Sequence, residues 1–138
     1  MISQTLKREE LVKLLYIYAF NEYIGHSNRN NHLISCNNSL NIDDNAIING
    51  ELDIVVKNLS IIDALILKNL NNYSIDRLNL VDLAIIRLAT YEILYTDIPN
   101  NIIISEALNL TKKLSNLDDD TQRRFTNKLL DTIKNSII

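Results

Sequence analysis

The sequence predicts an all-α protein built by packing helix on helix, and three observations carry that expectation. Turn formers are scarce, with two Gly and one Pro in 138 residues. Sandwiches and barrels need many tight turns, which draw on Gly and Pro. Apolar residues recur every three or four positions over long stretches, where a strand would alternate. Finally, 46% of the residues are apolar and 22% charged, so a chain of this length buries a core without staples. The shortage of Gly also excludes a Gly-rich phosphate loop.

The first helix is expected from about Thr5 to Tyr23. Thr5 reads as its N-cap, and Glu9 and Glu10 fill the first turns, where the helix dipole favours acids. Leu11, Val12, Leu14, Leu15, Tyr18 and Ala19 fall on one broad core-facing arc, and Gly25 is a natural stop. On the other side Glu9, Lys13, Tyr16 and Phe20, spaced four, three and four, line an outer stripe. Residues 26–42, HSNRNNHLISCNNSLNI, hold many Asn and Ser with no sustained period. They read as a mobile loop, with one short helical turn near Leu33.

Asp43 and Asp44 cap the next element. Ile48, Leu52, Val55, Leu59, Ile62, Ile66 and Leu70 then mark one amphipathic helix of about 26 residues, kinked near Ser60. Asn71 to Ser74 break it. Asn79 opens a further helix, with Asp82 in a capping-box-like relation. Its span, Leu80 to about Thr96, is apolar on nearly every side, the mark of a central helix. Pro99 ends that unit. Ile102 to Ile104 alone would read as a strand, but no partner strand is available. Ser105-Glu106-Ala107-Leu108 reads as a cap leading into a helix to about Ser115. Asp118-Asp119-Asp120-Thr121 forms a turn and N-cap. The last helix carries Phe125, Leu129, Leu130, Ile133 and Ile137 on one face. Five substantial helices and a loop result, with no internal repeat.

The formal net charge of −3 excludes a generically basic nucleic-acid binder but not a local patch. Cys36 is the single cysteine, so no intrachain disulfide forms. The N-terminus is charged early, which argues against a signal peptide, and no apolar run reaches the roughly 18 residues of a membrane span. A soluble, cytoplasmic protein with no membrane association is expected. His26, His32 and Cys36 match no zinc spacing, and Asp118 to Asp120 lack the alternating ligands of a calcium loop. No metal, no cofactor and no catalytic set is expected. What the chain does carry are cations beside aromatics, the combination that grips single-stranded RNA. Lys7, Arg8, Lys13 and Tyr16 lie on the first helix, and Arg123, Arg124 and Lys128 surround Phe125 on the last.

Residues 70–115, LNNYSIDRLNLVDLAIIRLATYEILYTDIPNNIIISEALNLTKKLS, resemble a segment of the bacterial NusB family of transcription antitermination factors. That family shows a segment like NWSLDRL-x-x-VDRAILRLAxYEL, then a DIP turn, then V-x-INEAVELAKKF. Ser74, Asp76, Arg77, Leu78, Val81, Asp82, Ala84, Ile85, Arg87, Leu88, Ala89, Tyr91 and Glu92 stand in matching places. Asp97-Ile98-Pro99 matches the turn, and Ile104-Ser105-Glu106-Ala107 stands where INEA would. Arg124 to Asp131 meets the family's KFVNGVLD, and Leu14-Leu15-Tyr16 its ALY.

The resemblance implies one domain over 1–138, made of two small helical bundles packed at a steep angle. The N-terminal sub-bundle would span about 1–72 and the C-terminal one about 73–138. It implies a non-enzyme that binds boxA-type single-stranded RNA together with the ribosomal protein NusE. The pair would act within the RNA polymerase antitermination complex, chiefly in ribosomal RNA transcription. The family's RNA-gripping positions fall on Arg8, Tyr16, Asp82 and Phe125, so the expected RNA-binding set is Lys7, Arg8, Lys13, Tyr16, Asp82, Arg124 and Phe125. Arg8 lies near the apolar arc, so reaching RNA requires it to bend around the helix end. Where the family's start carries several arginines, this chain has Lys7 and Arg8 followed by Glu9 and Glu10. Leu83 replaces the basic residue of VDR, and Lys128 a glycine. Fewer phosphate contacts mean weak RNA binding by the isolated protein, with the partner supplying much of the grip. The competing reading is a helical protein-interaction module with little or no RNA binding, and a third is a homodimer that buries the outer stripe.

Overall fold

The computed structural model of the chain describes residues 2–23, 42–70, 75, 78–114 and 120–137. They form six helices: α1 (Gln4–Tyr23), α2 (Ile42–Lys57), α3 (Leu59–Lys68), α4 (Leu80–Tyr95), α5 (Asn100–Leu114) and α6 (Asp120–Ser136). No strand occurs among the described residues, and none of their helices is long and apolar enough to cross a membrane. The expected loop at 26–42 and its short turn, the Gly25 stop, the break at Asn71 to Ser74, and Asp118 and Asp119 lie wholly or almost wholly outside the described residues.

Periodicity placed the buried faces correctly. Leu11, Val12, Leu14, Leu15 and Ala19 of α1 are buried, with Tyr18 packed at the edge. All seven apolar positions from Ile48 to Leu70 are buried as well. The expected single helix is nevertheless two, because the backbone leaves helical geometry at Asn58, whose N–H is shared between the Ile54 and Val55 carbonyls, just before the expected kink at Ser60. Asn58 sits near the bridge region at φ −104°, ψ 11°, and its side-chain amide donates to the Ile54 carbonyl at 2.8 Å. Such side-chain-to-backbone bonds compete with the helical ladder.

The starts of α1 and α5 also differ from expectation. Ser3 caps α1 by accepting from the Leu6 N–H at 3.1 Å. Thr5 instead lies inside the helix and donates to Glu106 at 3.5 Å. α5 begins directly after Pro99, whose carbonyl accepts from Ile102 and Ile103, so Ser105 is interior rather than a cap. Ile103 and Ile104 become buried helical residues.

The helix read as central is central. Every residue of α4 from Asp82 to Glu92 is buried, and α4 packs against α1, α3, α5 and α6. Burial of so many apolar side chains, at about 25 cal/mol per Å², is the main force holding the six helices together. Two buried arginines fasten the same helix. Arg87 binds Asp63 of α3 through Nε at 3.0 Å and Nη2 at 2.8 Å, and Glu22 of α1 through Nη1 at 3.1 Å. Arg8 of α1 binds Glu92. α1 is therefore held rigidly on α4, which fixes what its outer face presents.

Candidate nucleic-acid interface

The outer stripe of α1 forms as its spacing demands. With Leu11, Leu15 and Ala19 turned to the core, Lys13, Tyr16 and Phe20 face solvent. Tyr16 is 37% exposed and Phe20 43%, large values for aromatics. Their ring centroids lie 6.4 Å apart with planes tilted by 33°. One helical turn apart, they make a small, partly exposed apolar platform.

Lys13 stands at the platform's N-terminal edge. Its Nζ lies 3.3 Å from Glu10 Oε2 and 3.6 Å from Glu9 Oε1. Burial works to lower its pKa, but the hydrogen bonds and charges of the two carboxylates more than reverse this and raise it. The other Glu9 oxygen, Oε2, accepts from Lys113 of α5 at 2.9 Å. That hydrogen bond is the main reason the Glu9 pKa is lowered. Lys13 and Lys113 therefore converge on a single carboxylate.

A second basic region opens where α5 meets α6. Leu108, Asp120, Arg123, Arg124 and Asn127 line a shallow groove there. Arg123 pairs with the Asp120 carboxylate, and Arg124 Nε donates to the Asp120 carbonyl at 3.4 Å. The Arg123 hydrogen bond leads the causes that lower the Asp120 pKa. Arg124 is exposed, while Phe125 is half-buried against the core.

Three expected RNA contacts do not join this face. Arg8 does not bend around the helix end. It turns inward and is buried against Glu92, with Nε 3.0 and 3.2 Å from the two carboxylate oxygens. Its position near the apolar arc is the physical reason, since a guanidinium there satisfies a buried carboxylate more directly than it reaches solvent. Lys7 spans to α2, its Nζ 2.9 Å from Glu51 Oε1, with both side chains largely covered. Asp82 is 1% exposed, and neither carboxylate oxygen has a hydrogen-bond partner. Burial alone pushes its pKa up to about 6. The capping box is half-formed: Asn79 accepts from the Val81 N–H at 2.8 Å, but Asp82 returns no bond.

Lys113 is the residue that sequence reasoning missed. Its only local signal was the Lys112-Lys113 pair ending α5, which reads equally well as completion of the helix dipole. The metal reading of His26, His32 and Cys36 falls outside the described residues. Among the described residues no group of three or more His, Cys, Asp or Glu side chains is placed to hold a metal ion.

The family model described as the NusB family matches residues 5–135. The transcription antitermination protein NusB of Clostridium botulinum is 36% identical over 133 residues, covering 96% of this chain and 98% of that protein. The protein of the same name from Natranaerobius thermophilus is 35% identical over 138 residues, covering 99% and 97%. The corresponding Treponema denticola protein reaches 46% identity over 81 residues, with 58% of this chain and 57% of that one aligned. Among solved structures, T. maritima NusB superposes with a TM-score of 0.81 at 27% identity, covering 97% of this chain and 92% of that one.

Proposed function

The chain belongs to the NusB family, a family of transcription antitermination factors rather than enzymes, and from that premise we propose that it binds boxA-type single-stranded RNA together with the ribosomal protein NusE. The complex would act on RNA polymerase in the cytoplasm, chiefly in ribosomal RNA transcription. One observation supports the RNA reading above the others: the partly exposed Tyr16–Phe20 platform on α1 with Lys13 beside it. Bases stack on aromatic faces and phosphates seek cations, so this grouping suits a single strand. We assign Tyr16 to base stacking, Lys13 to phosphate, Arg124 to phosphate at the α5–α6 groove, and Phe125, half-buried beside Arg124 in sequence, to a partial stacking contact. Arg8 and Lys7 act indirectly by holding α1 in place.

The internal pairing of Lys7, Arg8 and Lys13 favours the second reading, a protein-interaction module with little RNA affinity. A titration separates the two. A boxA-type RNA and a scrambled RNA are added to the protein with and without NusE, at two salt concentrations. The RNA reading expects preference for boxA, strongest with NusE and weakening with salt. Equal binding of both RNAs in the mixture overturns it and leaves the protein-interaction reading.

A further inference from the structure

We propose that Lys13 and Lys113 form a backbone-phosphate subsite of this interface, occupied in the free protein by the carboxylate of Glu9. The inference rests on the RNA reading above and adds a residue, Lys113, and a regulation to it. Two ammonium groups, from helices α1 and α5, approach opposite oxygens of one carboxylate, Lys13 at 3.6 Å from Oε1 and Lys113 at 2.9 Å from Oε2. A carboxylate with two oxygens and one negative charge presents the same recognition features as the two free oxygens of a phosphodiester. Two cations arranged around the one are therefore arranged for the other. The subsite lies one turn from Tyr16 on the same stripe, so one strand can place a phosphate on the lysines and a base on the ring.

Glu9 also suppresses the subsite. Lys13 and Lys113 supply two positive charges, and Glu9 and Glu10 balance them, leaving no net local charge to draw a phosphate. The low Glu9 pKa keeps that cancellation in place at neutral pH. The lysine side chains are 44% and 62% exposed against 14% for Glu9, so a strand meets the ammonium groups from the solvent side, where ion pairs are weakened by water. An arriving phosphate can take over both ammonium groups while the Glu9 side chain is repelled. The protein would then bind RNA less tightly than its cations alone would allow.

Glu9→Gln and Lys113→Ala in the full chain test this by titration of a boxA-type RNA across several salt concentrations. Helical circular dichroism serves as the folding control. Glu9→Gln is expected to bind about fivefold tighter, the scale of one exposed ion pair, with a steeper salt dependence. Lys113→Ala is expected to bind several-fold more weakly, its salt slope shallower by about 0.7 for one lost single-strand phosphate contact. If the wild type binds RNA but Glu9→Gln binds no tighter, the subsite is refuted and the RNA reading stands. If no variant binds at any salt, both fall. A gain confined to NusE binding also refutes it, in favour of a protein contact. Should Glu9→Gln lose helicity, Lys113→Ala decides alone, since an exposed lysine does not hold the fold. Unchanged affinity there overturns the proposal.

Discussion

The guanidinium of Arg8 meets the carboxylate of Glu92 inside the molecule, each side chain 5% exposed, and the pair joins α1 to the central helix. Burial raises the Glu92 pKa, and the charge and hydrogen bond of Arg8 only partly oppose it. Removing Arg8 would leave a buried charge unpaired, which typically destabilises by about 3–5 kcal/mol. Arg8→Ala is expected to lose stability on that scale in urea unfolding. Arg8→Met with Glu92→Leu is expected to recover most of the loss, because the desolvated charges leave together. If Arg8→Ala unfolds like the wild type, the pair is not structural and Arg8 returns to the RNA face.

Asp82 gives a pH dependence with a definite sign. Its pKa rises from 3.8 to about 6 on folding, through burial alone. Below pH 3.8 both folded and unfolded chains hold the proton. Between 3.8 and about 6 the unfolded chain releases it first, so stability falls as pH rises through that window and stays lower above it. The full effect is about 3 kcal/mol, at 1.36 kcal/mol per pH unit. Asp82→Asn is expected to flatten this part of the profile, read as the difference between variant and wild-type urea midpoints at pH 4.5 and 7. Parallel profiles would mean that Asp82 finds a partner in solution.

Much of this could be read in advance, for a physical reason. Burial follows the helical repeat, so the spacing from Ile48 to Leu70 identified the inner face without any knowledge of the partner helix. The all-round apolar surface of α4 likewise showed that it must be central. Tyr16 and Phe20 were legible as an outer stripe for the same reason. Pairings were not legible, because a charged side chain chooses its partner through the fold. Arg8 finds Glu92 across 84 positions and Lys113 finds Glu9 across 104, separations that leave no periodic trace. Asn58 broke the second expected helix through a local side-chain bond to which hydrophobic periodicity is blind.

Arg87 joins three helices through one guanidinium, forked onto Asp63 and reaching Glu22. Lysine cannot reproduce that fork, since its ammonium is a single point charge. Arg87→Lys is therefore expected to destabilise by about 2 kcal/mol, the scale of one lost hydrogen bond to a charged group. The loss should concentrate where Asp63 is released, so amide exchange in α3 is expected to accelerate more than in α5. Uniform acceleration across the helices would refute a local clamp.

Tyr16 bears on both function and stability. Its ring is 37% exposed, and Phe20, the ring it meets among the described residues, is itself on the surface. Truncation removes a ring that is nearly two-thirds covered, so Tyr16→Ala is expected to cost about 2 kcal/mol of stability in the thermal melt, below the roughly 3–5 kcal/mol of a fully buried aromatic. Stacking of a base is worth about 1–3 kcal/mol, so the same variant should weaken RNA binding roughly five- to 150-fold. Tyr16→Phe keeps the ring face and should retain most of the affinity, whereas a hydroxyl contact would be lost with it. Phe20→Ala should cost less than Tyr16→Ala, because it removes the neighbour that steadies the ring rather than the ring itself. A large loss of stability in Tyr16→Ala would mark the tyrosine as a packing residue and move the RNA site to the α5–α6 groove.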